Sequence, residues 1–315
     1  LMRVCDALEA TGQRQAAHHR QLVQTLLGDL TADSHTPWQR VAAHFDTLLD
    51  RPSAVDVLEQ TILQLAVRGQ LVPQDPSDEP ASALLQRSRA EKDRLIAEGK
   101  TKRDKPLAPI GEDEQPFELP PGWEWVRLPE LCSIIGGATP SKSNPQNWQG
   151  DVPWVSPKDM KHPCISDAQD HVSNVAVQSS LYLIPTGSLL MVVRGMILAH
   201  SFPVAVTLVP VTINQDMKAI TPYVPAVLPF LALLCHGMKP EILALVERST
   251  HGTCKLESVK LFGMPFPLPP LPEQARIVAR VAHLRRLCAD LRQRLTQSQA
   301  TQAQLGEALV AAAAV

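Results

Sequence analysis

The chain has 315 residues, 44% of them hydrophobic, and balances 30 lysines and arginines against 32 aspartates and glutamates for a formal net charge of −2. That length allows two or three structural units with a sizeable core, and the composition excludes a disordered chain; the neutral total weighs mildly against nucleic acid, although a local basic face can coexist with it. No apolar run is long enough to span a membrane, no secretory leader is expected, and six cysteines without a Cys-x-x-Cys pair fit reduced cytoplasmic thiols rather than zinc or a disulfide framework.

Residues 1–51 open with a long helix. Leu1, Cys5, Leu8, Gly12, Gln15, His19, Leu22 and Leu26 alternate by four and three, the heptad seam of a coiled coil. Asp33 and Ser34 break the pattern. A short helix then runs from Pro37 to about Leu49, with Thr36 as its N-cap. Residues 52–116 form a helical connector. Ser53 caps a helix with Val55, Leu58, Ile62 and Leu65 on one face, which stops at Gly69. Leu71 to Pro80 is a rigid turn-rich stretch, and a charged helix follows from about Ala81 to Glu98. From Arg87 to Lys105 there are eight basic and four acidic residues. That stretch reads either as a solvated helix and linker or as a face turned to phosphates.

In residues 117–270 helical periodicity gives way to short apolar runs between Gly, Pro, Asn and Ser. Ser188 to Val193 and Pro203 to Val206 read as strands, and Ala226 to Cys235 and Glu241 to Val246 as helices. The fold class is therefore α+β: a mixed α/β domain flanked by long coiled-coil helices. The 28 prolines, too many for a mostly helical chain, fall in with this. Residues 271–315 form the terminal helix, with Pro272 near its first position and Glu273 in its first turn. Its seam is Ile277, Val281, Leu284, Cys288, Leu291, Leu295, Ser298, Gln302, Leu305 and Leu309. About forty residues at 1.5 Å rise make a rod of roughly 60 Å.

The two end helices repeat one another. Leu1-x-Arg3-x-Cys5-x-x-Leu8 reappears as Leu284-x-Arg286-x-Cys288-x-x-Leu291, and the same shift carries Leu22 onto Leu305 and Leu26 onto Leu309. Polar residues in the middle of each seam fix register and partner at a cost in stability.

Several stretches together resemble the specificity subunit of type I restriction-modification enzymes. Ala66 to Gln74 is similar to that family's connector helix and its exit, and Glu91 to Leu107 to the lead-in to its target recognition domain. Phe117-Glu118-Leu119-Pro120-Pro121-Gly122-Trp123 through Leu128 resembles the opening of that domain. Gly136 to Ser141, Asp151 to Val155, Arg194-Gly195 and Asn214-Gln215 match later pieces in order, and Leu268 to Val278 resembles its closing signature. The resemblance spans essentially the whole chain. It implies a non-catalytic reader of double-stranded DNA in which each target recognition domain reads half of a split site and antiparallel helices set the gap. It also implies modification subunits that bind S-adenosylmethionine and methylate adenine at N6, and restriction subunits that use ATP and magnesium; no cofactor is implied for the chain itself. One recognition domain stands here where the family usually has two. Two explanations compete: a piece lacking an upstream domain, favoured by Leu1 falling inside a helix, or a half-length subunit that pairs with a second copy, favoured by a helix at both ends. Symmetric pairing predicts a palindromic split site.

Catalytic motifs are missing. There is no Asn/Asp-Pro-Pro-aromatic loop to grip a flipped adenine, no Gly-x-Gly-x-x-Gly turn, no Walker A loop and no Gly-x-Ser-x-Gly. His18 and His19 face different directions on a helix, and His251 with Cys254 lacks an orienting third group. Candidate DNA-contacting residues are the donors and acceptors on loops of the insert: Thr139, Ser141, Lys142, Ser143, Lys158, Arg194, Thr250, His251, Thr253 and Lys255, with Lys161 and His162 beside Lys158. Each also has a plain structural reading, as a turn or a buried pair. Trp123, Trp125 and Trp154 read as core, and the low aromatic content argues against a single-strand binder. Leu8, Leu22, Leu26, Leu284, Leu291, Leu295, Leu305 and Leu309 are the candidate coil and partner surface. A second reading is an assembly or inhibitory subunit that docks on modification enzymes without touching DNA.

Overall fold

The structure is a computed structural model that describes residues 2–32, 38–101, 103, 107–248 and 252–313. It divides into two compact units, residues 1–72 with 279–315, and residues 73–278.

The first unit is helical. Helix α1 (Met2–Ala32) packs on α4 (Pro52–Val67), with α2 (Trp38–Ala43) and α3 (Phe45–Leu48) between them in the chain. The expected helix from Pro37 to Leu49 is broken at His44, whose φ of −119° and ψ of 17° leave the helical region. Thr36 and Pro37 themselves lie outside the described residues. Helix α4 starts two residues earlier than its Ser53 cap predicts. Pro52 takes the first turn, where its missing N–H costs nothing, and extended Arg51 precedes it. The helix ends at Val67, and Gly69 just past its Arg68 cap has a φ of 72°, left-handed and open chiefly to glycine.

The seam of α1 is displaced by one residue from the expected one. Val23, Leu27 and Leu30 are buried, whereas Leu22 is 51% exposed and Leu26 half-buried. Both stripes have the same four–three spacing, so the pattern alone cannot choose between them. The buried stripe carries one more apolar side chain, at Leu30. His19 is pinned here: its Nε2 lies 3.1 Å from the carbonyl oxygen of Thr47 and 3.2 Å from the carboxylate of Asp50.

The second unit is α+β. In chain order it contains α5 (Ala81–Ala97), β1 (Glu124–Val126), α6 (Leu128–Leu131), β2 (Cys132–Gly136), β3 (Val152–Val155), β4 (Cys164–Ile165), β5 (Asp170–Val172) and α7 (Asn174–Ser180). Then follow β6 (Leu189–Val192), β7 (Val204–Thr207), β8 (Thr212–Ile213), β9 (Met217–Pro222), α8 (Leu228–Gly237), α9 (Lys239–Ala244), β10 (Val246–Arg248), β11 (Cys254–Leu256), α10 (Ser258–Gly263) and β12 (Phe266–Leu268). Helix α11 (Leu271–Ala313) begins here and continues into the first unit.

A five-stranded sheet has the order β2-β9-β6-β7-β4 and a three-stranded sheet the order β5-β3-β8. The β4–β7 and β3–β8 pairs are parallel. All four residues of β6 are buried because the strand is central and covered on both faces. Helix α8 packs on β6 and β7, and Leu190, Ala205 and Ala219 of the five-stranded sheet share a core with Val155 and Ile213 of the three-stranded one. Fully burying each large apolar side chain there contributes roughly 2 kcal/mol.

Two small pairs close the unit. Strand β1 pairs with β12, and β10 with β11. The indole N–H of Trp123 donates to buried Glu273 at 2.9 Å, and Gln74 donates to the same carboxylate at 3.3 Å. Trp123 and Trp154 are buried, and Trp125 packs edge-on against Phe117 with ring centroids 4.9 Å apart.

Candidate nucleic-acid interface

The turn between β8 and β9 is the hub of the site. The side-chain oxygen of Asn214 accepts from the N–H of Asp216 at 3.0 Å, and the N–H of Met217 donates to the carbonyl of Asn214 at 3.2 Å. Asn214 is buried, so the short turn is rigid and presents Gln215 outward.

On one side the turn meets the loop after β2. The N–H of Ala138 donates to the carbonyl of Ile213 at 3.0 Å, and the Thr139 hydroxyl donates to the side-chain oxygen of Gln215. A Cβ on Gly137 would sit 1.9 Å from the carbonyl oxygen of Asn214, so only glycine allows this approach. The rest of the loop is stapled from below. The indole of Trp154 donates to the carbonyl of Ala138, and Trp148 and Asn147 both donate to that of Ser141. The Ser141 and Ser143 hydroxyls lie 2.7 Å apart.

These elements enclose a cleft of about 780 Å³. Trp148 and Trp154, edge to face at 5.1 Å, line it together with Thr139, Gln215, Lys142 and Lys158. Lys158 pairs with Asp170 at 3.1 Å across an exposed surface, an interaction worth little in water. Lys142 has no ion pair among the described residues. Polar donors and acceptors, two cations and aromatic edges thus face one open space.

On its other side the turn holds Arg194, which is bridged to Lys255. The N–H groups of Val193 and Arg194 donate to the carbonyl of Asp216, and the Arg194 guanidinium lies 3.9 Å from the Asp216 carboxylate. Arg194 forms an antiparallel bridge with Lys255, whose ammonium pairs with Glu257 at 2.5 Å. Exposed Thr253 lies two residues before Lys255. Thr250 and His251 lie outside the described residues.

Of the ten predicted DNA-contacting residues, Thr139, Lys142 and Lys158 therefore line one cleft. Arg194 is held by the same turn and carries Lys255 beside it, and Ser141 and Ser143 shape the loop. Gln215 was missed as a site residue. Its signal was the Asn214-Gln215 pair between two short apolar runs, a turn by composition, but nothing in sequence shows that Thr139 meets it.

Four cations of the basic stretch from Arg87, among the described residues, are paired with acids. Arg87 pairs with Glu79 at 2.6 Å, Arg89 with Glu130 at 3.2 Å, Arg94 with Glu91 at 2.7 Å and Lys100 with Glu98 at 2.8 Å. That arrangement fits a solvated helix whose described arginines are paired with nearby acids.

Burial pushes Cys132 well above the ordinary thiol range and Cys235 up to about 12. Among the described residues no group of three or more His, Cys, Asp and Glu is placed to hold a metal ion, and no helix is long and apolar enough to cross a membrane.

In the helical unit, Leu284 and Leu291 line an apolar groove of about 670 Å³ with Leu58, Ile62 and Leu65 of α4. Leu295 is half-buried and does not line this groove. Arg292 reaches Asp56 at 2.7 Å and Glu59 at 3.1 Å, and Arg285 reaches Glu59 at 2.9 Å, so α4 and α11 are clamped along one edge. Leu305 and Leu309 are 57% and 66% exposed. Leu8 lies within α1, and its side chain is outside the described set.

Residues 120–298, more than half of the chain, match the family model described as the type I restriction modification DNA specificity domain. The chain belongs to this family. The cleft, the Asn214–Asp216 turn and the bridge between Arg194 and Lys255 all fall inside the specificity-domain match. The chain is 33% identical, over 99% of its length, to the type I restriction enzyme EcoAI specificity subunit of Escherichia coli, and 32% identical, over 99%, to the EcoEI specificity subunit of the same organism. It spans 54% and 55% of those subunits, about half of each. The crystal structure of the HsdS subunit from Thermoanaerobacter tengcongensis aligns with 86% of this chain and 56% of that one at 21% identity and a TM-score of 0.48.

Proposed function

We propose that the chain is a DNA sequence-specificity subunit of a type I restriction-modification enzyme: it reads half of a split site and docks modification subunits on its long helices, which act as spacer. The observation that carries this reading is the cleft beside the Asn214–Asp216 turn. Base edges in the major groove are told apart by their pattern of donors and acceptors, and a side-chain amide such as that of Gln215 offers both. Phosphates are met by cations and supply affinity without sequence information, the part that suits Lys142, Lys158, Arg194 and Lys255. Trp148 and Trp154 donate their N–H groups to backbone carbonyls, which suits walls better than stacking platforms.

The chain is not a catalyst in this reading. S-adenosylmethionine belongs to the modification subunits, and ATP with magnesium to a restriction subunit where one assembles. The enzyme is cytoplasmic. The exposed Leu305 and Leu309 and the groove at Leu284 and Leu291 are the surfaces for modification subunits and for a second copy of the chain.

The test is the methylome of cells that co-express the chain with its modification subunit. The expected result is methylated adenine in a split motif. A palindromic motif means two copies reading together, and an asymmetric one means that a second recognition domain completes the reader. A stable complex that methylates nothing overturns the reading in favour of an assembly or inhibitory role.

A further inference from the structure

A second trough, of about 550 Å³, adjoins the cleft and shares its wall at Pro157 and Lys158. The residues around it come from three places in the chain. Lys158, Lys161 and His162 lie on the segment between β3 and β4, and His236 and Lys239 lie where α8 passes into α9. Its floor is apolar, with Met160, Ile197 and Phe202.

No carboxylate lines the trough among the described residues. Asp159 sits in the middle of the basic segment but is turned away. One of its carboxylate oxygens accepts from the N–H and hydroxyl of Ser156 at 2.8 and 2.9 Å, and the other from the N–H of Gln169 at 2.9 Å. Lys161 and Lys239 have no ion pair among the described residues. Lys158 is paired with Asp170 at 3.1 Å, on the side of the reading cleft. The chain as a whole carries a net charge of −2, so a trough edged by Lys161 and Lys239, with Asp159 withdrawn and no carboxylate in its lining, is a local departure from the average surface.

We infer that this trough carries the sugar–phosphate backbone of the DNA as it leaves the reading cleft, with Lys161 and Lys239 on phosphates and the apolar floor under the deoxyribose faces. The inference rests on the DNA-reading assignment above and adds to it a surface and two residues. Lysines placed in this way add affinity and fix the register of the duplex, and they carry no base information. The cleft holds the discriminating groups and the trough does not, so the two surfaces divide the work. Lys158, on the shared wall, is the junction between them.

The experiment is a salt titration of the affinity of the full chain for a short duplex of arbitrary sequence, for the wild type and for Lys161→Ala with Lys239→Ala. Removing one lysine from a phosphate lowers the slope of log K against log salt by about 0.9, so the double variant is expected to fall by about 1.8 in slope. The paired variants Lys161→Arg and Lys239→Arg keep the charge and are expected to keep the slope, which separates missing charge from a damaged fold. A wild-type chain that binds the duplex and a double variant with the same slope overturn the trough assignment alone. A wild-type chain with no salt-dependent binding overturns the DNA-reading assignment and the trough with it. An unchanged slope accompanied by loss of the complex with modification subunits makes the trough a seat for an acidic protein segment, which also overturns the inference.

Discussion

The hydroxyl of Thr139 donates to the side-chain oxygen of Gln215, tying the loop after β2 to the turn between β8 and β9 across 76 residues of sequence. The bond fixes which way the amide faces. Its oxygen is turned toward Thr139 and its NH₂ remains available to the cleft. A base reader that is oriented before binding loses less freedom on binding and tolerates fewer wrong partners.

Replacing Gln215 by Ala is therefore expected to cost about 1–3 kcal/mol of discrimination at one base position. Thr139→Val, which keeps the shape and removes the donor, is expected to loosen the same position by a smaller factor. The methylated motif reports both, as one position becoming degenerate. An unchanged motif in the two variants would remove the pair from the reading site.

Gly137 makes a separate prediction about stability. A Cβ there would meet the carbonyl oxygens of Asn214 and Ile213 at 1.9 and 2.3 Å, both backbone atoms within a hydrogen-bonded turn. Neither can withdraw without breaking the bonds that hold Gln215. Gly137→Ala is expected to destabilise the chain by more than about 2 kcal/mol, in the range of overpacked sites. Urea unfolding of the two proteins measures it, and a midpoint equal to that of the wild type would show that the loop can move aside.

Periodicity made part of this architecture legible. The four–three spacing of α11 is matched by burial of Ile277, Val281 and Cys288, and the apolar runs at Ser188 and Pro203 are β6 and β7. Spacing identifies a stripe but not its partner. Hence the register of α1, where the 22–26 and 23–27–30 stripes are equally periodic, required the packing on α4 to decide it. The parallel pairs β3–β8 and β4–β7 and the meeting of Thr139 with Gln215 join distant segments, and no local pattern encodes them. Candidate residues were legible as types, polar and cationic on glycine-rich loops. Their grouping into one cleft was not, and the pairing of Arg87, Arg89, Arg94 and Lys100 with neighbouring acids emerged only in three dimensions.

The two ends of the α11 seam should respond differently to a charge. Leu291 lines the groove against α4, so Leu291→Asp puts an unpaired carboxylate into an apolar site and is expected to cost about 2–4 kcal/mol of stability. Leu305 is 57% exposed within the chain, so Leu305→Asp is expected to leave the melting temperature within about a degree while weakening assembly with modification subunits or a second copy. Thermal melts and co-purification separate the two effects. Full assembly by Leu305→Asp would mean that this face of the helix meets no partner.

Glu273 gives a pH dependence with a definite sign. Burial holds its carboxyl above the ordinary value of 4.5, although the Trp123 and Gln74 donors and the charge of Arg276 pull it the other way. An acid that keeps its proton more tightly when folded favours the folded state below its unfolded value. That contribution is lost as pH rises from about 4.5 through the folded value, because the unfolded chain then releases the proton first. Glu273→Gln removes the titration. The introduced amide still offers an oxygen to the Trp123 indole, and the Gln74 amide can turn to meet its NH₂. The difference in unfolding free energy between variant and wild type is therefore expected to move in favour of the variant as pH rises across that interval and to be constant above it. Paired urea titrations across the interval measure the difference. A difference that stays flat, or moves toward the wild type, would mean that the Trp123 and Gln74 donors outweigh burial and hold the carboxyl at or below its ordinary value.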